Sequence, residues 1–369
     1  PELETNITEI LTTVDMANDI IKNLKKWMAP KSVPSSLSVI TSKSYLEYYP
    51  KGTVLIISPW NFPFQLCIAP LLYSIAAGNT AIIKPSEMTP ATSKLVYEMI
   101  NELFEQKEVC VIEGAVEESQ QLLELPFNHI FFTGSTSIGK KVVQASSKHL
   151  SSFTLELGGK SPVIIDKGFD SKKVINRLIT TKFMNMGQTC IAPDYLVVDD
   201  DDYDNFLHQL INTLNVTYGK NFNDQLNSKS LGRIVNDKHL NRLVDLLENC
   251  KSKILYGGDY SKDDLFVAPT IIDASSKSKE PLEQEIFGPI IPIVRYSSEQ
   301  ELEKIISNIN TPLALYIFSS NKKFISKIKY HYLRLYIKIQ SSLLKLHPQY
   351  IKYRLNIKFK KLMDCPQNK

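Results

Sequence analysis

The chain has 369 residues, of which 43% are apolar and 22% are charged, and this length and composition predict a soluble globular protein of two domains. Its five cysteines are odd in number and include no Cys-x-x-Cys pair, which argues against a disulfide framework and against a metal site. Free thiols indicate a reducing compartment, so we expect a cytoplasmic protein.

Charge is distributed unevenly along the chain, whose net charge is +4. Residues 321–369 contain thirteen Lys or Arg residues and one acidic residue, Asp364, so the remainder of the chain is net acidic. A basic segment that interleaves Tyr, Ile and Leu with its charges can bind nucleic acid or anionic lipid. A solvated or foreign tail is the alternative that we favour, and we expect no nucleic-acid partner.

A stretch without charge, residues 52–83, raises the question of a membrane span. Pro59, Pro63 and Pro70 interrupt this stretch, and in lipid each break would leave backbone polar groups without partners. We therefore interpret it as a buried strand, turn and helix, and we expect no membrane span.

The first 160 residues alternate between helical and strand patterns. Apolar residues at steps of three and four predict a helix over residues 4–27, and a Pro/Ser-rich connector follows over 30–36. Short apolar runs then predict five strands, at 54–57, 81–83, 109–112, 130–132 and 153–155. Helices are predicted at 64–77 with a kink or restart at Pro70, at 89–104, and from the 134–139 loop to about 147.

This alternation predicts an α/β fold with a doubly wound parallel sheet, whose loops at one edge would hold a dinucleotide. A second α/β region is predicted from residue 162 to about 319. Its strands are expected near 163–165, 196–198, 266–272 and 290–294.

Several polar residues lie at predicted strand ends, where open parallel sheets place their binding sites. Gly134, Ser135 and Gly139 lie in a loop that follows a strand and opens a helix, so its backbone can approach a phosphate. The spacing differs from the usual dinucleotide fingerprint, and a plain turn is the alternative. Lys84 and Glu87 have the chemistry to grip ribose hydroxyls, or they are a solvated surface pair.

Cys190 is the one plausible nucleophile, because its Gly-Gln-Thr-Cys context is small, polar and flexible and suits an exposed thiol. Cys67 and Cys110 lie in apolar runs, which indicates packing.

Glu156 lies between Leu155 and Leu157, so we expect a buried carboxylate. Burial raises a carboxyl pKa and suits a general base near neutral pH, and a structural ion pair is the alternative. Asn61 follows another strand, where its amide would serve as an oxyanion donor or as a turn residue.

Taken in order, six motifs resemble those of the aldehyde dehydrogenase superfamily. They are PWNFPF at 59–64, KPSE at 84–87, FTGST at 132–136, LELGGKSP at 155–162, GQTC at 187–190 and EIFGP at 285–289. CIAPDY at 190–195 and PLALY at 312–316 resemble the class three branch, which includes fatty aldehyde dehydrogenases. The resemblance covers about residues 1–321 and implies oxidation of an aldehyde to a carboxylic acid, with NAD as cofactor and NADP as a possible one.

The resemblance also implies roles for individual residues. Cys190 would be the nucleophile, Glu156 the base, and Asn61 the oxyanion donor together with the Cys190 backbone N–H. The cofactor-binding residues would be Trp60, Lys84, Glu87, Gly134, Ser135, Gly139, Glu285 and Phe287. The implied domains are residues 1–159 with the N-terminal helix and the NAD(P)-binding sheet, 160–321 with the incomplete catalytic region, and 322–369 as a divergent basic tail.

After about residue 322 the family pattern stops, and the Gly-rich segment and oligomerisation strand expected next are replaced by Lys/Tyr/Leu-rich sequence. This change suggests an altered reading frame, an unusual splice form or a gene-model error, and the start at Pro1 resembles that of a fragment. The homodimer typical of the family is therefore doubtful here. The alternative function is a non-catalytic truncated product, or a binding protein that uses its basic tail.

Overall fold

The computed structural model describes residues 1–36, 38, 41–275, 280–307 and 312–343. The chain begins with one nearly continuous helical rod, formed by α1 (Glu2–Thr5), a π-helical turn (Asn6–Leu11) and α2 (Thr12–Met28). This rod confirms the helix predicted over 4–27. The connector predicted over 30–36 contains a short strand instead, β1 (Lys31–Val33), which pairs antiparallel with β2 (Ser44–Leu46).

Five parallel strands form the first sheet, in the order β5-β4-β3-β6-β7. They are β3 (Thr53–Ile57), β4 (Thr80–Lys84), β5 (Val109–Val111), β6 (His129–Gly134) and β7 (Ser152–Leu157). The chain winds outward from β3 to β5, then returns and winds the other way through β6 and β7. The order reverses between β3 and β6, and such a switch point opens a crevice at the carboxyl ends of the strands. The predicted doubly wound parallel sheet is thus confirmed.

Helices cover both faces of this sheet. The first face carries α3 (Gln65–Ala76) and α4 (Pro90–Leu103), and the second carries α5 (Val116–Leu123) and α6 (Thr136–Ser146). Helix α3 continues through Pro70 as one element, so the predicted restart does not occur. Helix α5 was not predicted.

A second, six-stranded sheet has the order β10-β13-β14-β9-β8-β15, and only its edge strand β10 runs antiparallel. Its strands are β8 (Pro162–Ile165), β9 (Tyr195–Asp199), β10 (Ile254–Tyr256), β13 (Thr270–Asp273), β14 (Ile290–Tyr296) and β15 (Tyr316–Phe318). The helices of this region are α7 (Ser171–Phe183), α8 (Asp200–Tyr218), α9 (Phe222–Leu226), α10 (Asp237–Asn249), α11 (Glu280–Glu283) and α12 (Glu299–Ser307).

The single strand predicted over 266–272 is wrong, because two strands of different sheets occupy that stretch. β12 (Phe266–Val267) pairs with β11 (Tyr260–Ser261), whereas β13 joins the six-stranded sheet. Pro269 lies between them and has no N–H for a continuing ladder.

The chain continues past β15 into α13 (Lys322–Leu343). Phe324 and Ile328 are buried against the second sheet and α12, and Lys327 forms ion pairs with Glu299 and Glu303. Helix α13 ends at Leu343, which is the last residue of the described part. Among the described residues, no helix has the length and apolarity that crossing a bilayer requires.

Candidate active site between the two sheets

The two sheets are joined where β7 ends at Leu157 and β8 begins at Pro162, so the connecting Gly158–Ser161 loop lies between them. The cysteine loop follows α7 and reaches the same region. Asn185, Met186 and Gly187 in this loop have φ values of 47°, 55° and 74°. Left-handed backbone is unfavourable for the first two residues and persists only where surrounding contacts hold it.

Contacts from distant parts of the chain hold this strained turn. The Asn185 backbone N–H donates to the Glu4 carboxylate at 2.6 Å, and its side-chain amide donates to the carbonyl of Asn61 at 2.6 Å. A Cβ at Gly187 would overlap the Gly288 carbonyl oxygen. The turn therefore requires glycine there, and it packs closely on the segment that carries Glu285.

Asn61 is buried, and its side-chain nitrogen donates to the Gln188 carbonyl at 2.9 Å. The structure thus brings this predicted residue to the backbone two positions before Cys190. The buried side chain of Gln188 donates to the carbonyls of Asn185 and Arg233 and accepts from the N–H of Val235. Gln188 had no predicted role beyond its motif, yet its three hydrogen bonds fix the loop.

Cys190 is half-buried rather than exposed as expected. Burial raises the pKa of its thiol, and the negative charges of Glu285 and Glu156 raise that pKa further. The backbone N–H groups of Cys190 and Ile191 act in the opposite direction, because they donate to the sulfur and lower the pKa. These two N–H groups therefore favour the thiolate, which is the nucleophilic form of a cysteine.

A cavity of about 450 Å³ lies beside the cysteine loop, between α3 and the β3-β6-β7 part of the first sheet. Cys190 and Glu156 both line it. Much of its remaining wall is apolar and includes Leu66, Ala69 and Phe131. A thiol and a carboxylate thus share one largely apolar cavity.

The expectation that Glu156 is buried is wrong, because its side chain is exposed. Successive residues of a strand point to opposite faces. Leu155 and Leu157 pack on the face that α5 and α6 cover, whereas Glu156 points to the other face and the cavity. Apolar neighbours in the sequence therefore do not imply burial of the residue between them. Glu156 makes no ion pair within the described part of the chain.

A second carboxylate of the site, that of Glu285, is half-buried. Burial raises its pKa to about 7, against the opposing effect of a hydrogen bond from the Gly159 N–H at 3.1 Å. The nearby charge of Asp194 raises the pKa further, while Lys160 and Arg242 lower it.

The predicted cofactor residues lie along the crevice at the carboxyl edge of the first sheet. Lys84 ends β4 and is buried, and its ammonium donates to Glu87 at 2.8 Å. Partial burial acts to raise the pKa of the Glu87 carboxyl. Hydrogen bonds from Lys84 and from the Glu87 backbone N–H outweigh this effect, so the pKa is lowered. This buried lysine contradicts the surface-pair alternative. At the other side of the switch point, Ser135 caps the N-terminus of α6 and accepts from the Ile138 N–H at 3.4 Å.

Glycines bring the backbone close at two points of the crevice. A Cβ at Gly139 would lie 2.9 Å from a methyl group of Leu157, so α6 packs tightly on β7. A Cβ at Gly158 would overlap the Glu285 carboxylate. Gly134 ends β6 next to Ser135.

Aromatic rings meet near Glu285. Trp60 and Phe287 pack edge to face with ring centroids 5.4 Å apart, and His239 lies 4.9 Å from Trp60. Phe287 has a φ of 50°, which marks a second strained turn in this site. His239 was not predicted, and its pKa is lowered by burial and by the neighbouring Arg242 and Lys238 charges.

Three further cations were missed by sequence reasoning, of which Lys160 and Lys182 are buried and Arg242 is partly buried. Lys160 forms a buried ion pair with Asp194, and Arg242 donates to the Ile286 carbonyl. Lys182 is fully buried, and burial lowers the pKa of its ammonium to about 8. Lys160 and Asp194 belong to the LELGGKSP and CIAPDY motifs, but the motifs did not show that these residues pair.

Comparison with known proteins agrees with this architecture. The aldehyde dehydrogenase family model matches residues 2–332. The 4,4'-diaponeurosporen-aldehyde dehydrogenase of Staphylococcus aureus is 43% identical over 327 residues, which are 89% of this chain and 71% of that protein. The putative aldehyde dehydrogenase AldX of Bacillus subtilis is 41% identical over 90% of this chain and 75% of its own length. A substrate-bound structure of Staphylococcus aureus AldH superposes with a TM-score of 0.84, at 43% identity, over 89% of this chain and 71% of that one.

A doubly wound sheet joined to a second α/β sheet, with a cysteine loop between them, defines an oxidoreductase fold of the nicotinamide-dependent class. The chain belongs to the aldehyde dehydrogenase family. Its similarity to family 3 members, such as member A2 of Macaca fascicularis at 39% identity over 89% of this chain and 66% of that protein, agrees with the class three resemblance. The family reaction is the NAD(P)-dependent oxidation of an aldehyde to a carboxylic acid.

Proposed function

We propose that this chain oxidises an apolar aldehyde to its acid through a thioester on Cys190. The observation that carries the proposal is that Cys190 and Glu156 line one cavity while Asn61 is hydrogen-bonded to the cysteine loop. We also propose that residues 1–159 bind the cofactor and 160–321 carry the nucleophile, with 322–369 as a separate tail, because the Gly158–Ser161 loop separates the two sheets. A cytoplasmic location is proposed from the free thiols of Cys67, Cys110 and Cys190.

The residues of the crevice fit an NAD(P) cofactor. The N-terminus of α6, which follows Gly134 and Ser135, offers backbone N–H groups to a pyrophosphate. The Lys84–Glu87 pair suits the hydroxyls of the adenosine ribose, and Glu285 suits those of the nicotinamide ribose. Trp60 and Phe287 form an apolar wall beside Glu285. When bound, the cofactor supplies the acceptor for the hydride that leaves the aldehyde carbon.

The first covalent step is the addition of Cys190 to the aldehyde. The Cys190 thiolate adds to the carbonyl carbon, and the carbonyl oxygen becomes an oxyanion as its π bond breaks. Asn61 uses one amide hydrogen for the Gln188 carbonyl, so its second hydrogen is available to this oxyanion together with the Cys190 N–H. Loss of hydride from the same carbon leaves a thioester on Cys190.

Glu156 acts as the general base in hydrolysis of the thioester. Its exposed carboxylate lines the cavity, where it can accept a proton from a water molecule that attacks the thioester carbon. The carbon–sulfur bond then breaks, the carboxylic acid leaves and Cys190 is regenerated. The proton on Glu156 returns to solvent, which closes the cycle.

The apolar cavity wall supports an apolar aldehyde as substrate. Leu66 and Ala69 of α3 and Phe131 of β6 would contact a hydrocarbon chain beyond the aldehyde group. The Staphylococcus aureus enzyme that carries diaponeurosporen-aldehyde in its name is 43% identical to this chain, which supports an aldehyde as the substrate.

The proposal is tested with the purified chain, NAD and octanal, by following NADH absorbance. We expect NADH formation that saturates with aldehyde and is lost in Cys190→Ala. Butanal serves as the comparison substrate and should give a lower kcat/KM because it buries less apolar surface. Absence of NADH formation by a folded parent chain would overturn the proposal.

A further inference from the structure

The backbone segment that carries Glu285 and Phe287 is held by charged side chains from three separate parts of the chain, of which Lys160 and Asp194 are buried and Arg242 is partly buried. Lys160, just before β8, donates to the Gln284 carbonyl at 2.9 Å. Asp194, just before β9, accepts from the Ile286 N–H at 3.0 Å. Arg242 of α10 donates to the Ile286 carbonyl at 2.5 Å. The segment thus has no freedom to shift without breaking a charge-assisted hydrogen bond.

Asp194 is the centre of this arrangement. One carboxylate oxygen accepts from Ile286, and the other pairs with the Lys160 ammonium. The side chains of Lys160 and Asp194 are only 5% and 4% exposed. The backbone N–H of Asp194 also donates to the Ser161 carbonyl at 2.8 Å, which ties it to the loop between the two sheets.

Through these contacts Asp194 connects three parts of the site. It follows Cys190 by four residues, its partner Lys160 follows Glu156 by four residues, and its hydrogen bond to Ile286 adjoins Glu285. The Gly159 N–H that donates to the Glu285 carboxylate comes from the same loop as Lys160. The Asp194 side chain therefore couples the positions of the cysteine loop, the 158–161 loop and the segment that carries Glu285.

Stability alone does not explain why ions occupy this position. A buried ion pair can often be replaced by well-packed apolar residues at little cost, whereas removal of one partner leaves an uncompensated charge. The apolar replacement would lack the acceptor for Ile286 and the donor for Gln284. What the ions provide here, beyond packing, is a fixed place for the backbone that carries Glu285.

We propose that Asp194, together with Lys160, is a positioning residue that fixes Glu285 relative to Cys190 and so sets the affinity for the nicotinamide ribose. The cofactor part of this inference rests on the proposed function, whereas the positioning of the segment does not. Loss of the pair leaves the nucleophile and the base in the chain but lets the 284–288 segment move away from the crevice.

The test compares three variants of the full chain. Asp194→Asn keeps the shape and removes the charge, and the double variant Lys160→Met with Asp194→Leu replaces the pair by apolar side chains. Tyr256→Phe is the control, because the Tyr256 hydroxyl links Gln225 and Asn215 in a partly buried network of the second sheet. Thermal unfolding, amide hydrogen exchange of residues 284–288 and NAD affinity by Trp fluorescence are measured for each.

We expect exchange at the Ile286 amide to rise about tenfold or more in Asp194→Asn and in the double variant. The NAD dissociation constant should rise about tenfold in both, an effect that a local loss of order can produce. The double variant should recover the unfolding temperature but not the affinity. Tyr256→Phe should lower the unfolding temperature and leave exchange at 284–288 and NAD affinity unchanged.

Equal exchange at 284–288 in the parent and the double variant would overturn the inference, and so would a double variant that recovers both stability and NAD affinity. The exchange comparison needs no cofactor. A parent chain that binds no NAD would therefore count against the proposed function, while the exchange data would still decide whether Asp194 positions the segment.

Discussion

Asn61 and Gln188 are 127 positions apart in the sequence, and the Asn61 side-chain amide donates to the Gln188 carbonyl at 2.9 Å. This hydrogen bond joins the loop after β3 to the cysteine loop and thus connects the two sheets at the site. A second hydrogen bond joins the same two loops, because the Asn185 side-chain amide donates to the Asn61 carbonyl at 2.6 Å. The proposed oxyanion donor and the loop of the proposed nucleophile are therefore held together before any substrate arrives, which is the preorganisation that such sites require.

Replacement of Cys190 should affect aldehyde oxidation and NAD binding differently. We expect Cys190→Ala to abolish NADH formation, because no other described thiol lines the cavity. NAD affinity should stay nearly unchanged, since the crevice residues are untouched. Steady-state assays and fluorescence titration measure the two quantities. Cys67→Ala is a matched thiol control that should retain activity, because Cys67 is a buried residue of α3 that packs in the core. Equal turnover by parent and Cys190→Ala would exclude the thioester mechanism.

Glu156→Gln distinguishes hydrolysis from acylation. If Glu156 activates the water, the variant should release a burst of NADH close to one per active chain and then turn over slowly, by about 10²–10⁴-fold. Stopped-flow absorbance resolves the two phases. A folded variant without a burst would show that Glu156 acts before hydride leaves.

The order of the elements could be predicted because short apolar runs and helical spacing are local signals. The strands at 54–57 and 81–83 are confirmed within β3 and β4 for this reason. Elements whose partners lie elsewhere in the chain were missed: β1 forms only because β2 pairs with it thirteen residues later. The burial of Glu156 was mispredicted because sequence neighbours do not show which face of β7 is covered. The ion pair between Lys160 and Asp194 could not be predicted, because the two residues are 34 positions apart and meet only when the strands that follow them pair in the sheet.

The pKa of Glu285, about 7, predicts a pH dependence of cofactor binding. In the proposed role of Glu285, its ionised carboxylate would accept hydrogen bonds from ribose hydroxyls better than the neutral acid does. NAD affinity should therefore rise as the pH increases from 6 to 8, and Glu285→Gln should bind more weakly with a flat profile. Titrations at several pH values test this, and a parent profile as flat as that of the variant would contradict it.

The raised pKa of Glu285 should also make the free energy of unfolding fall as the pH rises, whereas NAD affinity should increase. The folded-state pKa of Glu285 lies above its unfolded value, so its contribution is fully present below about pH 4.5 and is lost as the pH rises through about 7. Relative to Glu285→Gln, the parent should lose free energy of unfolding across this window. Urea unfolding at pH 5 and pH 8 measures the difference between the two proteins. A difference that stays constant between the two pH values would show that Glu285 titrates normally.

Glu87 predicts a modest preference for NAD over NADP. Its exposed carboxylate can accept from a ribose 2′-hydroxyl, whereas a 2′-phosphate would meet like charge that Lys84 only partly offsets. Glu87→Gln should narrow the ratio of the two dissociation constants by improving NADP binding. Titration with both cofactors tests the preference, and tighter binding of NADP by the parent chain would show that Lys84 dominates.

The first turns of α13 test whether the basic segment belongs to the folded body. Phe324 and Ile328 are 7% and 2% exposed and pack with Leu302 and Ile306 of α12. Phe324→Ala should therefore lower the free energy of unfolding by about 3–5 kcal/mol, the usual cost of removing a buried aromatic ring. Tyr330→Ala is the matched control, because Tyr330 is 60% exposed on the same helix and should change stability by less than about 0.5 kcal/mol. Urea unfolding gives both values, and equal effects of the two substitutions would mean that α13 does not pack on the second sheet in solution.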